Sequence, residues 1–262
     1  MAVNSRRSST SAAPTTVLER GDIYFAYRPR IDAPAAHGFD DVQRLYMILS
    51  PHGRGSHRLI VIGEKRLPAL DSGDRKTWAF VDKVAARAED VEDELDPWTY
   101  RTQTRGERHV APARPAGEGV YALVLHREHT HLAYALELPA TPGDVQRALN
   151  IVPEGSYIVA VKNPEAPSPE GVGLDETRRA RLPKSLAARF RGRRFIPVDP
   201  PEFLDYEGVE IVLVGAGRNV AEALGIDLEP AHETAATAEI FRDLKLEESI
   251  HPLTPLFEGK WE

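Results

Sequence analysis

The chain has 262 residues, no cysteine and a formal net charge of −7. The absence of cysteine excludes disulfides, thiolate zinc sites, iron–sulfur clusters and cysteine nucleophiles. The length is sufficient for one large or two small globular domains, and the negative charge argues against a surface that binds nucleic acid everywhere, although it allows a local basic patch.

The N-terminal segment is polar. Residues 1–16 contain Arg6 and Arg7, but serine, threonine and alanine follow where a secretory signal would have an apolar stretch. The sequence therefore predicts a disordered tail over residues 1–17. No apolar run is long enough to span a bilayer, so we expect a cytoplasmic protein that does not contact membranes. The excess of arginine over lysine is typical of a GC-rich bacterial genome.

The first half of the body is predicted to contain three strands and a long helix. The strands are Asp22–Tyr27, Val42–Leu49 and Arg58–Ile62, and the last two form a hairpin around a loop rich in glycine. Trp78–Leu95 is predicted to be a single amphipathic helix, because its apolar residues recur at helical spacing. The apolar stripe consists of Val81, Val84, Ala85, Ala88, Val91 and Leu95.

The second half alternates strands with short helices. The predicted strands are Val120–Leu125, Leu132–Leu138, Tyr157–Val161, Phe195–Val198 and Val209–Val214. Thr141 and Pro142 predict the start of a helix that ends near Asn150. Further short helices are predicted over residues 186–190, 219–224 and part of 235–246, and Pro252–Phe257 is predicted to be extended.

These elements predict an α+β fold, with a strand-rich, mainly antiparallel sheet, one long amphipathic helix and a few short helices. We expect a body over residues 18–225 and a C-terminal tail over 226–262 that docks on the body or on a partner. The tetrapeptide at 41–44 recurs at 144–147. This weak repeat leaves open two similar halves, about 18–112 and 113–225.

Three histidines lie within six residues, at the turn between two predicted strands. Histidine titrates near neutral pH and is the commonest metal ligand. We expect His126 and His131 to flank a four-residue loop, where their Cβ atoms would be about 5 Å apart and both rings would reach one divalent metal ion. His129 and Glu128 lie at the tip of this hairpin. The alternative is a polar tip in solvent.

A catalytic zinc ion needs three protein ligands, so the hairpin requires another ligand from elsewhere. Glu137 shares a face with His131, but six strand residues, or about 20 Å, separate them, which excludes it. His109 and Glu107, in the segment before the hairpin, are the first candidates.

A basic segment over residues 178–194 carries eight cationic residues and no acid. Each arginine offers a planar fork of donors that suits phosphate, and Phe190 and Phe195 lie among the charges. The segment predicts a surface for an anionic ligand, a nucleotide or RNA. The cationic residues are Arg178, Arg179, Arg181, Lys184, Arg189, Arg191, Arg193 and Arg194.

The loop of the first hairpin is a second candidate for anion binding. Gly53, Arg54, Gly55 and Arg58 combine backbone amides in a tight turn with guanidinium groups. The glycines are equally explained by the geometry of the turn.

The acidic residues over 89–96 crowd the C-terminal end of the predicted long helix, where they oppose the helix dipole. They predict either internal ion pairs with the basic segment or a surface for a protein partner.

The leading functional hypothesis is a binding or regulatory module for an anionic ligand. The first alternative is a metal-dependent hydrolase at the histidine hairpin, although the familiar hydrolase motifs are absent. The second alternative is a protein-interaction module that uses the acidic helix end or the C-terminal tail.

Overall fold

The computed structural model describes residues 15–71, 73, 75–231, 237–247 and 249–262, apart from the side chains of 222 and 241. Residues 1–14 of the predicted N-terminal tail lie outside this range, and residues 15–17 belong to the first strand. Residues 235 and 236, at the start of a predicted helical region, also lie outside it. Among the described helices, none has the length and apolar character that crossing a membrane requires.

Eleven strands and six short helices are present in the part of the chain that the structure describes. The strands are β1 (Thr15–Pro29), β2 (Val42–Pro51), β3 (His57–Ile62), β4 (Thr77–Ala85), β5 (Trp98–Thr102), β6 (Gly106–Val110), β7 (Arg114–His126), β8 (His129–Leu138), β9 (Glu154–Lys162), β10 (Phe195–Pro197) and β11 (Glu210–Gly217). The helices are α1 (Glu89–Leu95), α2 (Asp144–Leu149), α3 (Lys184–Ala187), α4 (Val220–Leu224), α5 (Glu239–Asp243) and α6 (Thr254–Phe257).

Eight of the strands form a closed antiparallel barrel. Around the ring the order is β9, β11, β4, β3, β2, β1, β7 and β8, and β8 pairs back with β9 to close it. The short strand β10 pairs with β9 beyond the point where β8 starts. Strands β5 and β6 form a separate two-stranded ribbon. Closure pairs every barrel strand on both sides, which removes free sheet edges.

Both faces of the barrel wall are apolar over much of their area. Along β1, Ile23, Phe25 and Tyr27 belong to the interior core, whereas Tyr24 and Ala26 belong to a second cluster on the outer face. Helix α1 and the C-terminal segment cover that second cluster. A third cluster lies between β7, β8 and α4. Burial on both faces explains why the strands lack a clear alternation of apolar and polar residues.

The α+β class with one long amphipathic helix is wrong. Trp78–Leu95 forms strand β4 and the seven-residue helix α1, which is the longest helix among the described residues. An irregularity in the pairing of β3 and β4 adds a residue between Val81 and Lys83. Val81 therefore faces the interior, whereas Ala85 and Val91 join the outer cluster. The apolar stripe is divided between the two faces of the barrel wall.

The C-terminal segment packs against the outer wall and one end of the barrel. His251 is fully buried; its Nδ1 lies 2.9 Å from the carbonyl oxygen of Ala113, and its Nε2 lies 3.1 Å from Asp96. Trp261 meets Tyr27 edge to face at 5.3 Å between ring centroids. Residues 254–257, predicted to be extended, form α6 instead.

Candidate anion-binding site

The histidine hairpin turns more tightly than the sequence predicts. His126 pairs with His129, so the turn contains only Arg127 and Glu128, and the expected four-residue loop is wrong. Arg127 adopts a left-handed conformation with φ of 56°, as two-residue hairpin turns require. The register places His131 opposite Val124 instead of opposite His126. The turn projects Arg127, Glu128 and His129 into solvent.

Two of the three histidines do approach each other. The rings of His126 and His131 are perpendicular, with 6.1 Å between centroids. His126 Nδ1 lies 3.2 Å from Thr15 Oγ1. His131 is 9% exposed, and its Nδ1 has no hydrogen-bond partner among the described residues. Burial, together with the neighbouring imidazoles of His126 and His129, lowers the pKa of His131 to about 4.

The expected third ligands lie at the other end of the barrel. His109 and Glu107 belong to β6. The His109 carbonyl oxygen accepts a hydrogen bond from the backbone N–H of Asp32, just beyond the end of β1, and the His109 N–H donates to Asp32 Oδ1. The beginning of β1, at Thr15, pairs with His126. At a rise of ~3.3 Å per residue the two ends of this strand are up to roughly 45 Å apart along its length. Neither residue joins the histidine hairpin.

The only group of three close potential metal ligands among the described residues lies elsewhere. It consists of Asp22, Glu239 and Asp243, whose ligand atoms lie within 4.8 Å of one another. Arg242 forms ion pairs with Glu239 at 2.5 Å and with Asp243 at 2.8 Å. His52 also contacts Asp22 at 2.9 Å. The cluster therefore already has cationic and hydrogen-bonding partners.

Arg58, one of the predicted anion ligands, is fully buried inside the barrel wall. Its guanidinium donates to both carboxylate oxygens of Glu19, at 2.6 and 3.0 Å, and to Asp205 at 2.7 Å. The hydroxyl of Tyr121 donates to Glu19 at 2.8 Å. Every nitrogen of this guanidinium donates to a carboxylate of the protein itself, so Arg58 offers nothing to an anion from solvent.

Arg54 is held in the same way at the mouth of the barrel. It donates to Glu202 at 2.9 Å and to Asp205 at 3.3 Å. Both acids lie in the 3-10 turn Pro201–Asp205. We therefore do not include the glycine–arginine loop in the candidate site.

The basic segment has few internal partners. Its only ion pair with a described residue joins Arg178 to Asp82 at 3.1 Å. The ion pairs of the acidic stretch 89–96 go elsewhere: Asp90 pairs with Arg87, and Asp96 pairs with His251. The expected internal match between the acids of 89–96 and the basic residues of 178–194 is therefore not seen among the described ion pairs.

An open groove brings the basic segment to the histidine hairpin. Strand β9 pairs with β8 up to Val159 and with β10 from Ala160 onward. The end of β10 and the start of β8 therefore face each other along one edge, and the gap between them forms a groove of about 650 Å³. The hairpin tip forms one side of the groove, and residues 189–193 form the other.

Four exposed arginines line this groove: Arg127 from the hairpin and Arg189, Arg191 and Arg193 from the basic segment. None of them forms an ion pair with a carboxylate of the described chain. Within the described part of the chain, the side chains of Arg189 and Arg193 make only long hydrogen bonds, each of 3.4 Å, to backbone carbonyls. Their forks are consequently free to bind an anion.

The groove also contains two acids, an imidazole and an apolar floor. Glu128 lies exposed at the tip and Asp199 is half-buried at the base, so the charge of the lining remains positive. His129, predicted as a metal ligand, lines the groove as an exposed side chain. Apolar residues of three strands form the floor, among them Leu125, Ile158, Phe195 and Pro197. Arg194 lies beside the groove with its guanidinium 5.6 Å from the ring centroid of Phe195.

Two features that the sequence identified separately thus form one site. The basic composition of 178–194 and the clustering of histidines are local signals. Their meeting depends on the shared edge of β9, which no local pattern reveals. Arg127 carries no signal in the sequence, because it is a single charge in a turn. No model of a protein family, no curated protein and no solved structure matches this chain.

Proposed function

We propose that this protein is a binding module for a phosphate-bearing ligand, a nucleotide or nucleic acid, which occupies the groove between the β7–β8 hairpin and the basic segment. The observation that carries the proposal is the set of four exposed arginines without carboxylate partners that line the groove. Elsewhere on the described chain, arginines such as Arg54 and Arg58 are engaged by acids.

Phosphate suits this positively charged lining better than a metal ion. A guanidinium binds phosphate through two parallel hydrogen bonds, and several guanidinium groups along one groove bind successive phosphates. The negative charge of the whole molecule, −7, opposes adsorption of polyanions over the rest of the surface. Binding should therefore be confined to the groove and should weaken steeply with salt.

The test is fluorescence anisotropy with a labelled oligonucleotide over a series of salt concentrations. The variant R189E/R191E/R193E reverses three charges of the groove, and we expect it to lose binding at every salt concentration. The matched control is R44E/R101E/R105E, which changes the net charge equally at three exposed arginines outside the groove. We expect the control to bind within about threefold of the wild type, since exposed charges separated by more than a Debye length of ~10 Å are screened.

Equal binding by the wild type and the groove variant would place the ligand elsewhere on the surface. Equal losses in both variants would show that net charge alone governs the interaction. No binding by the wild type at low salt would end the proposal. Circular dichroism of each variant verifies that the barrel is intact.

A further inference from the structure

We infer that the ligand of the groove is single-stranded nucleic acid, with its phosphates on the arginine rim and its bases on an apolar and aromatic strip of the outer barrel wall. This inference rests on the proposed function and specifies the ligand. It depends on a second property of the site, the surface that continues from the groove floor across β10, β9, β11 and β4.

The strand register places residues of all four strands in one row. Pro197 lies opposite Ala160, Ala160 opposite Val212, and Val212 opposite Trp78. Directly opposed residues in antiparallel strands point to the same side of the sheet. The residues that alternate with this row along the strands belong to the interior core, for example Val161 and Ile211. The row therefore lies on the outer side of the barrel wall, from the groove to Trp78. Val212 within it is only 4% exposed. The part that solvent reaches is formed by Pro197, Ala160 and the half-buried rings of Phe195 and Trp78.

Phe195 lies where the groove meets the strip. Its ring is half-buried, lines the groove, and meets Trp78 edge to face at 5.9 Å between centroids. Lys76 Nζ lies 5.7 Å from the centroid of the same ring, and Arg194 lies 5.6 Å from it on the basic side. Lys76 and Arg194 are both exposed and form no ion pair with a described acid. Cations and aromatic rings are therefore interleaved along the strip.

This arrangement fits an unpaired strand better than a duplex or a free phosphate. In a duplex the base faces are stacked on one another, and only phosphates and groove edges reach a protein. A single strand exposes both its phosphates and its base faces, which stack on aromatic and apolar surfaces without strong sequence preference. An inorganic phosphate would use the arginines but would gain nothing from Phe195.

The experiment compares labelled oligonucleotides of roughly 12 nucleotides, a length within the usual site sizes, as single-stranded RNA, single-stranded DNA and a blunt DNA duplex. We expect both single strands to bind at least about fivefold more tightly than the duplex. F195L should weaken single-strand binding by roughly fivefold or more and leave duplex binding and the salt dependence unchanged, because it removes a stacking surface and no charge. The matched control is W98L, since Trp98 is an aromatic residue outside the site and is 52% exposed.

A second measurement does not depend on the fold of F195L. In W98F/W261F the only remaining tryptophan is Trp78, and we expect saturating single strand to change its emission, whereas the duplex should not. Duplex binding as tight as single-strand binding, or full affinity in F195L with no change in Trp78 emission, would overturn this inference. In that case loss of binding in R189E/R191E/R193E would still support the proposed function, and failure of all probes would overturn both.

Discussion

At the scale of single residues, His131 shows how burial changes the acid response of this protein. The imidazole has a pKa of about 4 in the fold, against 6.5 for an ordinary histidine, chiefly because of burial. Between these values the unfolded chain binds more protons than the folded chain, so stability falls as the pH decreases from 6.5 to 4. The full shift corresponds to roughly 3 kcal/mol.

H131L removes this group, and we expect the variant to gain stability over the wild type as the pH is lowered. The difference should grow by about 1.4 kcal/mol per pH unit between pH 6.5 and 4. Urea unfolding at several pH values measures it. The control H129L removes an exposed imidazole from the same hairpin. Parallel pH profiles for H131L and the wild type would contradict the prediction.

The effect of replacing Arg58 depends on the carboxylates that it pairs with. Replacing it by methionine leaves the carboxylate of Glu19, whose side chain is only 4% exposed, without its two hydrogen bonds from the guanidinium. Breaking a buried pair on one side typically costs about 3–5 kcal/mol. We expect a loss of this size for R58M in urea unfolding, and about 1 kcal/mol for R54M, because the Arg54 side chain is 38% exposed.

The double variant E19Q/R58M distinguishes the energy of the Glu19–Arg58 ion pair from the packing contribution of each side chain. Its loss should be smaller than the sum of the two single losses, since the uncompensated charge disappears. Additive losses, or an R58M variant no less stable than R54M, would show that the buried network does not contribute as its geometry indicates.

Among the secondary-structure elements, the strands that could be predicted are those marked by an apolar run and a turn close together in the sequence. The hairpin of β2 and β3 was placed within a few residues because a glycine-rich loop joins two apolar segments. The apolar spacing of Trp78–Leu95 fits a helix, and only the β3–β4 irregularity shows that its apolar residues face opposite sides of the barrel wall. Closure of the barrel through β8 and β9 is a long-range pairing that no window of the sequence contains.

The candidate site also combines features that local sequence predicts with features that depend on long-range contacts. The basic segment and the histidine cluster were visible as composition. Asp205 pairs with Arg54 and Arg58, although some 150 residues of sequence separate them. No local pattern in the sequence reveals this pairing. Composition therefore identifies available charge, and topology decides which charges remain free for a ligand.

The contact between α2 and the C-terminal segment depends on two glycines. Gly259 has φ of +65°, and a Cβ atom there would lie 2.6 Å from the Cα atom of Gly143. We expect G259A to lose roughly 2–4 kcal/mol, from left-handed strain together with overpacking. G225A is the control, because Gly225 has φ of +67° and open space around it, so it should lose about 1 kcal/mol. Equal losses in thermal unfolding would contradict the importance of this contact.

At the scale of the whole molecule, the question is whether the C-terminal segment folds with the barrel or docks on it afterwards. Trp261 packs on Tyr27, which belongs to the interior core, and Glu262 pairs at 2.8 Å with Arg114, whose side chain is only 4% exposed. His251 is buried against the outer wall. These contacts join the C-terminal segment to both the outer wall and the interior core of the barrel. They favour unfolding of the segment and the barrel as one cooperative unit.

Single-tryptophan variants test this cooperativity. W98F/W261F reports on the barrel wall through Trp78, and W78F/W98F reports on the C-terminal segment through Trp261. We expect both variants to show one transition in urea, and in each the fluorescence midpoint should coincide with the midpoint of far-ultraviolet circular dichroism. A Trp261 transition that precedes the loss of strand signal would mean that the segment detaches from an intact barrel, since local opening then costs less than global unfolding.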